Sequence, residues 1–165
     1  MKGQIGIEYL VIFAIALVLL IIVVGQVLRM FTETSYTPKC TSDNPLIVCA
    51  DNVFALTKNS TGNNLVASVR LLNGNQRDIQ VLSAACYSGK QAPSGLRYVS
   101  ISGTPIVRSQ GSGDITNIPC VDQNNQPIQF SAGAGFDGTF EIVYKFADDI
   151  VSNRTVRLFL TGRVG

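Results

Sequence analysis

The sequence predicts an α+β protein in which a long N-terminal hydrophobic α-helix is followed by a single all-β, sandwich-like globular head. Three observations carry that reading. From Tyr9 to Leu28 the only polar side chain is Gln26, a run of roughly twenty residues and so long enough to cross a hydrocarbon core as a helix. Beyond Pro38 the apolar period changes from continuous to alternating, the pattern of half-buried strands. Four cysteines, Cys40, Cys49, Cys86 and Cys120, all follow the apolar run, and an even number on one side of a membrane segment suits a disulfide framework in an oxidising compartment.

The helix is expected over residues 4–35. Between Gln4 and Thr34 there is no proline, the only glycines are Gly6 and Gly25, and Pro38 supplies a stop. At 1.5 Å per residue such a rod reaches roughly 45 Å, beyond the hydrocarbon thickness of a bilayer. Its apolar residues surround it on all sides, as when lipid or other helices cover the whole circumference. Lys2 ahead of the run favours a cytoplasmic N-terminus and an exterior head, with Arg29 at the far end a weaker opposing signal.

The head, residues 36–165, is long enough for one domain with a real core. "LVASVRLLNGNQRDIQVLSAAC", residues 65–86, reads as a hairpin about Asn73-Gly74, with Leu65, Ala67, Val69 and Leu71 on one face. A second hairpin follows from Phe140, Ile142, Tyr144 and Phe146 and from Val156, Leu158 and Leu160, which alternate with the residues between them and should bury one apolar face. Shorter strands are expected at 52–58, 96–102 and 127–132, and "SQGSGD" at 109–114 is expected to be a loop. Four cysteines allow three pairings. Because closing shorter loops loses less entropy, Cys40 with Cys49 and Cys86 with Cys120 are favoured.

Composition argues against chemistry. The chain has 165 residues, no histidine and a net charge of +2 with no basic cluster, so the electrostatic footprint of a nucleic-acid binder is missing. Without histidine, the usual base for serine and cysteine nucleophiles is lacking. Gly133, Gly135 and Gly138 match a dinucleotide-binding spacing, but "TFEIVYKF" follows where a helix is needed, so the glycines are read as a turn. Asp148 and Asp149 are read as solvent-facing turn residues rather than metal ligands, and no close cysteine pair suggests zinc. The expectation is no enzyme, no cofactor and no metal. Asn59 and Asn153 head two N-x-S/T sequons, candidate glycosylation sites on an exterior head.

Glu8 is the residue out of place. A carboxylate at the bilayer centre costs about 2.5 to 3.5 kcal/mol on insertion scales, so one at the edge of an apolar helix either meets water or has a partner. It lies within "MKGQIGIEYLVIF", a very short basic leader ahead of the apolar helix, the reverse of a secretory signal whose hydrophobic region is removed with it. This start resembles the class III signal peptide of archaeal type IV-like pilins. The resemblance implies that residues 1–3 form a leader cut off by a membrane-embedded prepilin peptidase, with Gly3 and Gln4 flanking the scissile bond. Glu8 then becomes the fifth residue of the mature chain, the place of the acidic residue in that family; where members often carry a hydroxyl residue two after the glutamine, this chain has Gly6. The resemblance covers about the first thirty residues.

What it implies is a structural subunit, held in the cell membrane as a precursor and then built into an extracellular adhesive filament through Glu8, Tyr9, Leu10, Phe13 and the apolar helix. The implied partners are other copies in a helical filament, the peptidase and assembly machinery, and the membrane before assembly. An archaellum subunit and a monomeric membrane-tethered binding module are the alternatives. Archaellins generally lack the glutamate, and a tethered module has no need of a new amine at Gln4.

Overall fold

The computed structural model describes residues 4–32, 37–103, 105–150 and 152–165, with the side chains of residues 4–8 and 28–32 outside the description. It forms two units, residues 1–35 and 36–165. The first is a single helix, α1 (Gln4–Thr32); the rest of the stretch expected to be helical, residues 33–35, lies outside the described residues.

The head is all strand and turn among its described residues: β1 (Lys39–Ser42), β2 (Ile47–Lys58), β3 (Leu65–Asn73), β4 (Ile79–Ser88), β5 (Val99–Ser100), β6 (Ile106–Val107), β7 (Ser112–Val121), β8 (Gly135–Phe146) and β9 (Arg154–Arg163). Hydrogen bonding runs in the order β1-β9-β8-β4-β7-β3-β2, with β5 and β6 paired to β4. The expected two separate layers are therefore one nearly closed sheet.

Its closure is thin in two places. Between β4 and β7 the ladder is parallel and holds only Cys86 opposite Cys120 and Tyr87 opposite Val121, because β5 and β6 occupy the rest of that edge of β4. Between β1 and β2 no ladder is formed among the described residues; beside the short turn, the Ser42 hydroxyl donates to the Ile47 carbonyl and the Cys40 N–H to Asn52 Oδ1. A disulfide sits at each: Cys86–Cys120 crosses the parallel seam, and Cys40–Cys49 ties β1 to β2. Both pairings agree with those favoured by loop closure. In the chain-entropy account the longer loop is worth about 4 kcal/mol and the shorter about 3.

The terminal hairpin forms as expected, with Phe140 opposite Leu158 and Ile142 opposite Val156. These side chains meet Leu65, Ala67, Val69 and Leu71 of β3 and Ile115 and Ile118 of β7 in one core; each fully buried leucine or isoleucine contributes about 2 kcal/mol. One expectation about this hairpin is corrected. Thr139 and Glu141, on the face meant for solvent, are buried as well, so the middle of β8 is covered on both sides.

The other expected hairpin does not exist. β3 pairs with β2 and β7, whereas β4 pairs with β8, so residues 74–78 cross between the two halves of the sheet. Asn73 is buried and anchors the crossing: its Nδ2 donates to the carbonyls of Arg77, Val107 and Arg108, and its Oδ1 accepts from the Asn75 backbone N–H at 3.0 Å. Neither Asn73 nor Gly74 has positive φ, which the tight hairpin turn requires.

Three shorter expectations also change. Residues 112–114 of the expected 109–114 loop open β7. The segment 127–132 is not a strand but makes isolated bridges to Asn64, just ahead of β3, and to Val121 of β7, while of 96–102 only Val99–Ser100 forms one. The 52–58 segment is the second half of β2, which begins at Ile47 and is interrupted by a bulge where Asp51 and Asn52 take φ of 51° and 55°. Short amide and carboxylate side chains tolerate that left-handed conformation.

Candidate functional site

The helix presents the first surface. Residues 9–27 form a stretch long and apolar enough to cross a membrane, and none of it is buried within the chain. Tyr9, Leu10 and Phe13, expected to mediate assembly, are 76, 70 and 67 % exposed. Isolated in water, such a surface would aggregate, so it calls for lipid or other helices. Gln4 and Glu8 lie within the helical backbone of α1, while their side chains and Gly3 fall outside the described residues.

On the head, the most concentrated polar arrangement centres on Glu141. Successive β residues face opposite sides, so β8 turns Phe140 and Ile142 to the core and Glu141 to the outer face, where the segment after β4 folds over it. Tyr87 donates its hydroxyl to Glu141 Oε2 at 2.8 Å, Tyr98 to Oε1 at 2.7 Å, and Arg157 Nε donates to Oε2 at 3.1 Å. Arg157 stands directly opposite Glu141 on β9. Both carboxylate oxygens are thus engaged, which satisfies a side chain that is costly to bury unpaired. Desolvation, then the hydrogen bond to a carboxylate, pushes the Tyr98 hydroxyl up to about 12 and that of Tyr87 higher still. Both phenols stay protonated near neutrality and donate to the carboxylate; the cluster is a clasp holding residues 89–98 against the sheet.

A second cluster occupies the end of the head formed by the β3–β4 crossing and the β8–β9 turn. Arg77 pairs with Asp148 at 2.5 Å and Asp149 at 2.8 Å, and both Arg77 and Arg154 stack on the Phe146 ring. The Arg77 guanidinium, chiefly through its hydrogen bonds, holds both carboxyls below the ordinary aspartate range. The expected solvent-facing acids are ion-paired. In the same turn lies Asn153, exposed at the head of its sequon. Asn59 lies at the opposite end, in the β2–β3 turn, where its Oδ1 accepts from the Thr61 backbone N–H and hydroxyl, both at 3.4 Å.

Of the three glycines read as a turn, Gly133 precedes β8, whereas Gly135 and Gly138 already belong to that strand. Gly133 has φ +76°, and a Cβ at Gly138 would lie 2.5 Å from both the Tyr87 carbonyl and the Phe136 ring. They shape a turn and a close strand contact.

No family model, curated protein or solved structure matches the chain.

The reading therefore rests on the residues themselves. Sequence reasoning did not find Glu141, Tyr87, Tyr98 or Arg157, because 54 residues separate Tyr87 from Glu141 and nothing local marks them. The available signal was a glutamate inside the strongest alternating run of the chain.

Proposed function

We propose that this chain is the structural subunit of an archaeal type IV-like pilus, cut before Gln4 by a prepilin peptidase and assembled through its apolar helix into a surface-attachment filament. The observation that supports this reading is a 29-residue helix whose residues 9–27 are apolar around the circumference and unburied within the chain, directly behind "MKG". A disulfide-stapled β head behind such a helix fits a subunit that works outside the cell.

The physics of assembly follows from the sequence. Cleavage creates an ammonium at Gln4 at a helix N-terminus that already concentrates positive partial charge, and a carboxylate one turn along compensates both. Among packed apolar helices, leaving that carboxylate unpaired costs several kcal/mol. Registers that pair Glu8 are favoured over slipped ones, while close packing of residues such as Leu10, Phe13 and Leu17 supplies attraction once helices replace lipid.

The test is N-terminal sequencing of protein sheared from cells, combined with Glu8→Ala. The reading expects surface protein starting at Gln4, and a variant that is inserted and cleaved but forms few filaments. Uncut protein confined to membranes would overturn it; normal filaments from the variant would remove the register role of Glu8.

A further inference from the structure

We infer that the head carries a binding cleft for anionic saccharides of the uronate type, built around Arg97. The inference concerns the head alone and stands whether or not copies assemble through α1. Where the segment after β4 meets the 122–126 turn, above the parallel β4–β7 seam, the surface opens into a cleft of about 550 Å³, within the range of small-ligand sites. Cys86, Val99, Pro119 and Val121 contribute to its lining, and Ser94, Asn124, Gln126 and Arg97 give it polar groups.

Arg97 is the charged residue in that lining, and it has no hydrogen-bond or ion-pair partner among the described residues. Arg70, Arg77, Arg154 and Arg157 all pair with carboxylates of the head. A planar guanidinium left without an internal anion, in a concavity with no acid in its lining, is matched to a carboxylate, which it binds through two parallel N–H donors. The surroundings extend the match from a carboxylate to a sugar. Side-chain amides and a hydroxyl both donate and accept, as sugar hydroxyls require, and Val99, Pro119 and Val121 offer apolar area to the C–H face of a pyranose ring.

The cleft is also held in shape before any ligand arrives. Asn125 Nδ2 donates to the Gly95 carbonyl at 3.0 Å, and Gln123 Nε2 donates to the carbonyls of Ser88 and Gln91, so the two walls are tied together. Asp122 Oδ1 accepts from the backbone N–H groups of Asn124 and Gln126, turning that acid into its own loop. Along the extended 97–99 stretch, side chains alternate: Tyr98 is bonded to Glu141, and Arg97 and Val99 on either side of it line the cleft. The clasp on β8 is thus what aims Arg97, and such preorganisation lowers the entropy lost on binding.

The experiment is calorimetric titration of the full-length chain in detergent with trigalacturonate, maltotriose as the neutral counterpart, and citrate as a carboxylate without a sugar. Saturable binding of trigalacturonate that weakens at least about tenfold in Arg97→Gln, the loss of a good charged contact, is the expected result. Binding should also weaken with salt and survive Lys90→Gln, which removes an exposed cation outside this cleft. Arg97 is exposed, so the variant should keep the parent's thermal transition, and Tyr98→Phe should lower affinity without touching the ligand. No saturable binding, equal affinity in Arg97→Gln, or equal binding of maltotriose would overturn the proposal. So would citrate binding as tightly as the uronate, or an Arg97-dependent self-association that trigalacturonate does not compete with.

Discussion

Tyr98 and Glu141 are joined by a 2.7 Å hydrogen bond that spans 43 residues of chain and fastens an irregular segment to the middle of β8. The same carboxylate receives Tyr87 from the neighbouring strand β4 and Arg157 from β9, so one side chain links three strands and a loop. Glu141→Ala should therefore destabilise the head by about 3 kcal/mol, because it leaves a buried phenol without its acceptor and an arginine without its anion. Tyr98→Phe, which removes a single charged hydrogen bond at a half-exposed site, should lose about 1.5 kcal/mol. Chemical denaturation of both variants checks the ranking; equal losses would mean that the clasp contributes nothing beyond one contact.

High pH should open the same clasp. A hydroxyl held at about 12 in the folded state binds its proton more tightly than in the unfolded chain, where tyrosine titrates near 10. Its contribution is complete below about pH 10 and is lost as pH rises through about 12. Thermal melts across that window should show a fall in stability accompanied by late-appearing tyrosinate absorbance, and Tyr98→Phe should flatten part of it.

Acid should act at the other surface clusters. The carboxyls of Asp114, Asp148 and Asp149 are held low by Arg70 and Arg77. A depressed carboxyl stabilises the fold above its unfolded value of about 4, and that contribution is lost as pH falls through the folded value. All three are solvent-screened, so the effect should be modest. An Asp148→Asn, Asp149→Asn double variant should show a shallower decline below about pH 4, measured by the same melts.

Close strand packing makes Gly138 sensitive. It sits opposite Ser88 on β4 and Leu160 on β9, and a methyl group there would press on the Tyr87 carbonyl, which is backbone and yields little. Gly138→Ala should be destabilised by about 1 to 3 kcal/mol. Gly95→Ala, where nothing lies within 4 Å of an added Cβ but φ is +74°, should lose less, about 1 kcal/mol. The difference separates crowding from backbone strain.

How much of this was legible depended on whether the alternating period survived locally. β3, β8 and β9 read clearly because their apolar residues recur at every second position, whereas in β4 the core residues Ile79, Val81, Ala84 and Cys86 skip a position at the bulge after Val81. β7 did not read clearly: its buried residues Ile115 and Ile118 are three apart, since Asn117 takes φ of 59° in a bulge against β3 and donates its N–H to Ser68 Oγ. Its Gly, Asp, Asn and Pro content then looked like loop. β2 broke in the same way at Asp51 and Asn52. The Asn73-Gly74 pair misled for a different reason, since its asparagine works through a buried side chain, a tertiary role that composition cannot distinguish from a turn. The helix and the disulfide pairs depended on local length and spacing, and both were readable. The Glu141 clasp and the Arg97 cleft join segments brought together only by the strand order, and no window of sequence contains them.

The bond between Cys40 and Cys49 has a mechanical consequence. β1 is four residues long and pairs only with β9, so a pull on Lys39 by itself would peel it away rung by rung. With the sulfurs joined at the second residue of β1, tension entering there passes at once to β2 and its long ladder with β3. Any load arriving along the chain from α1 is therefore shared between two strands at the first point where the head can resist it.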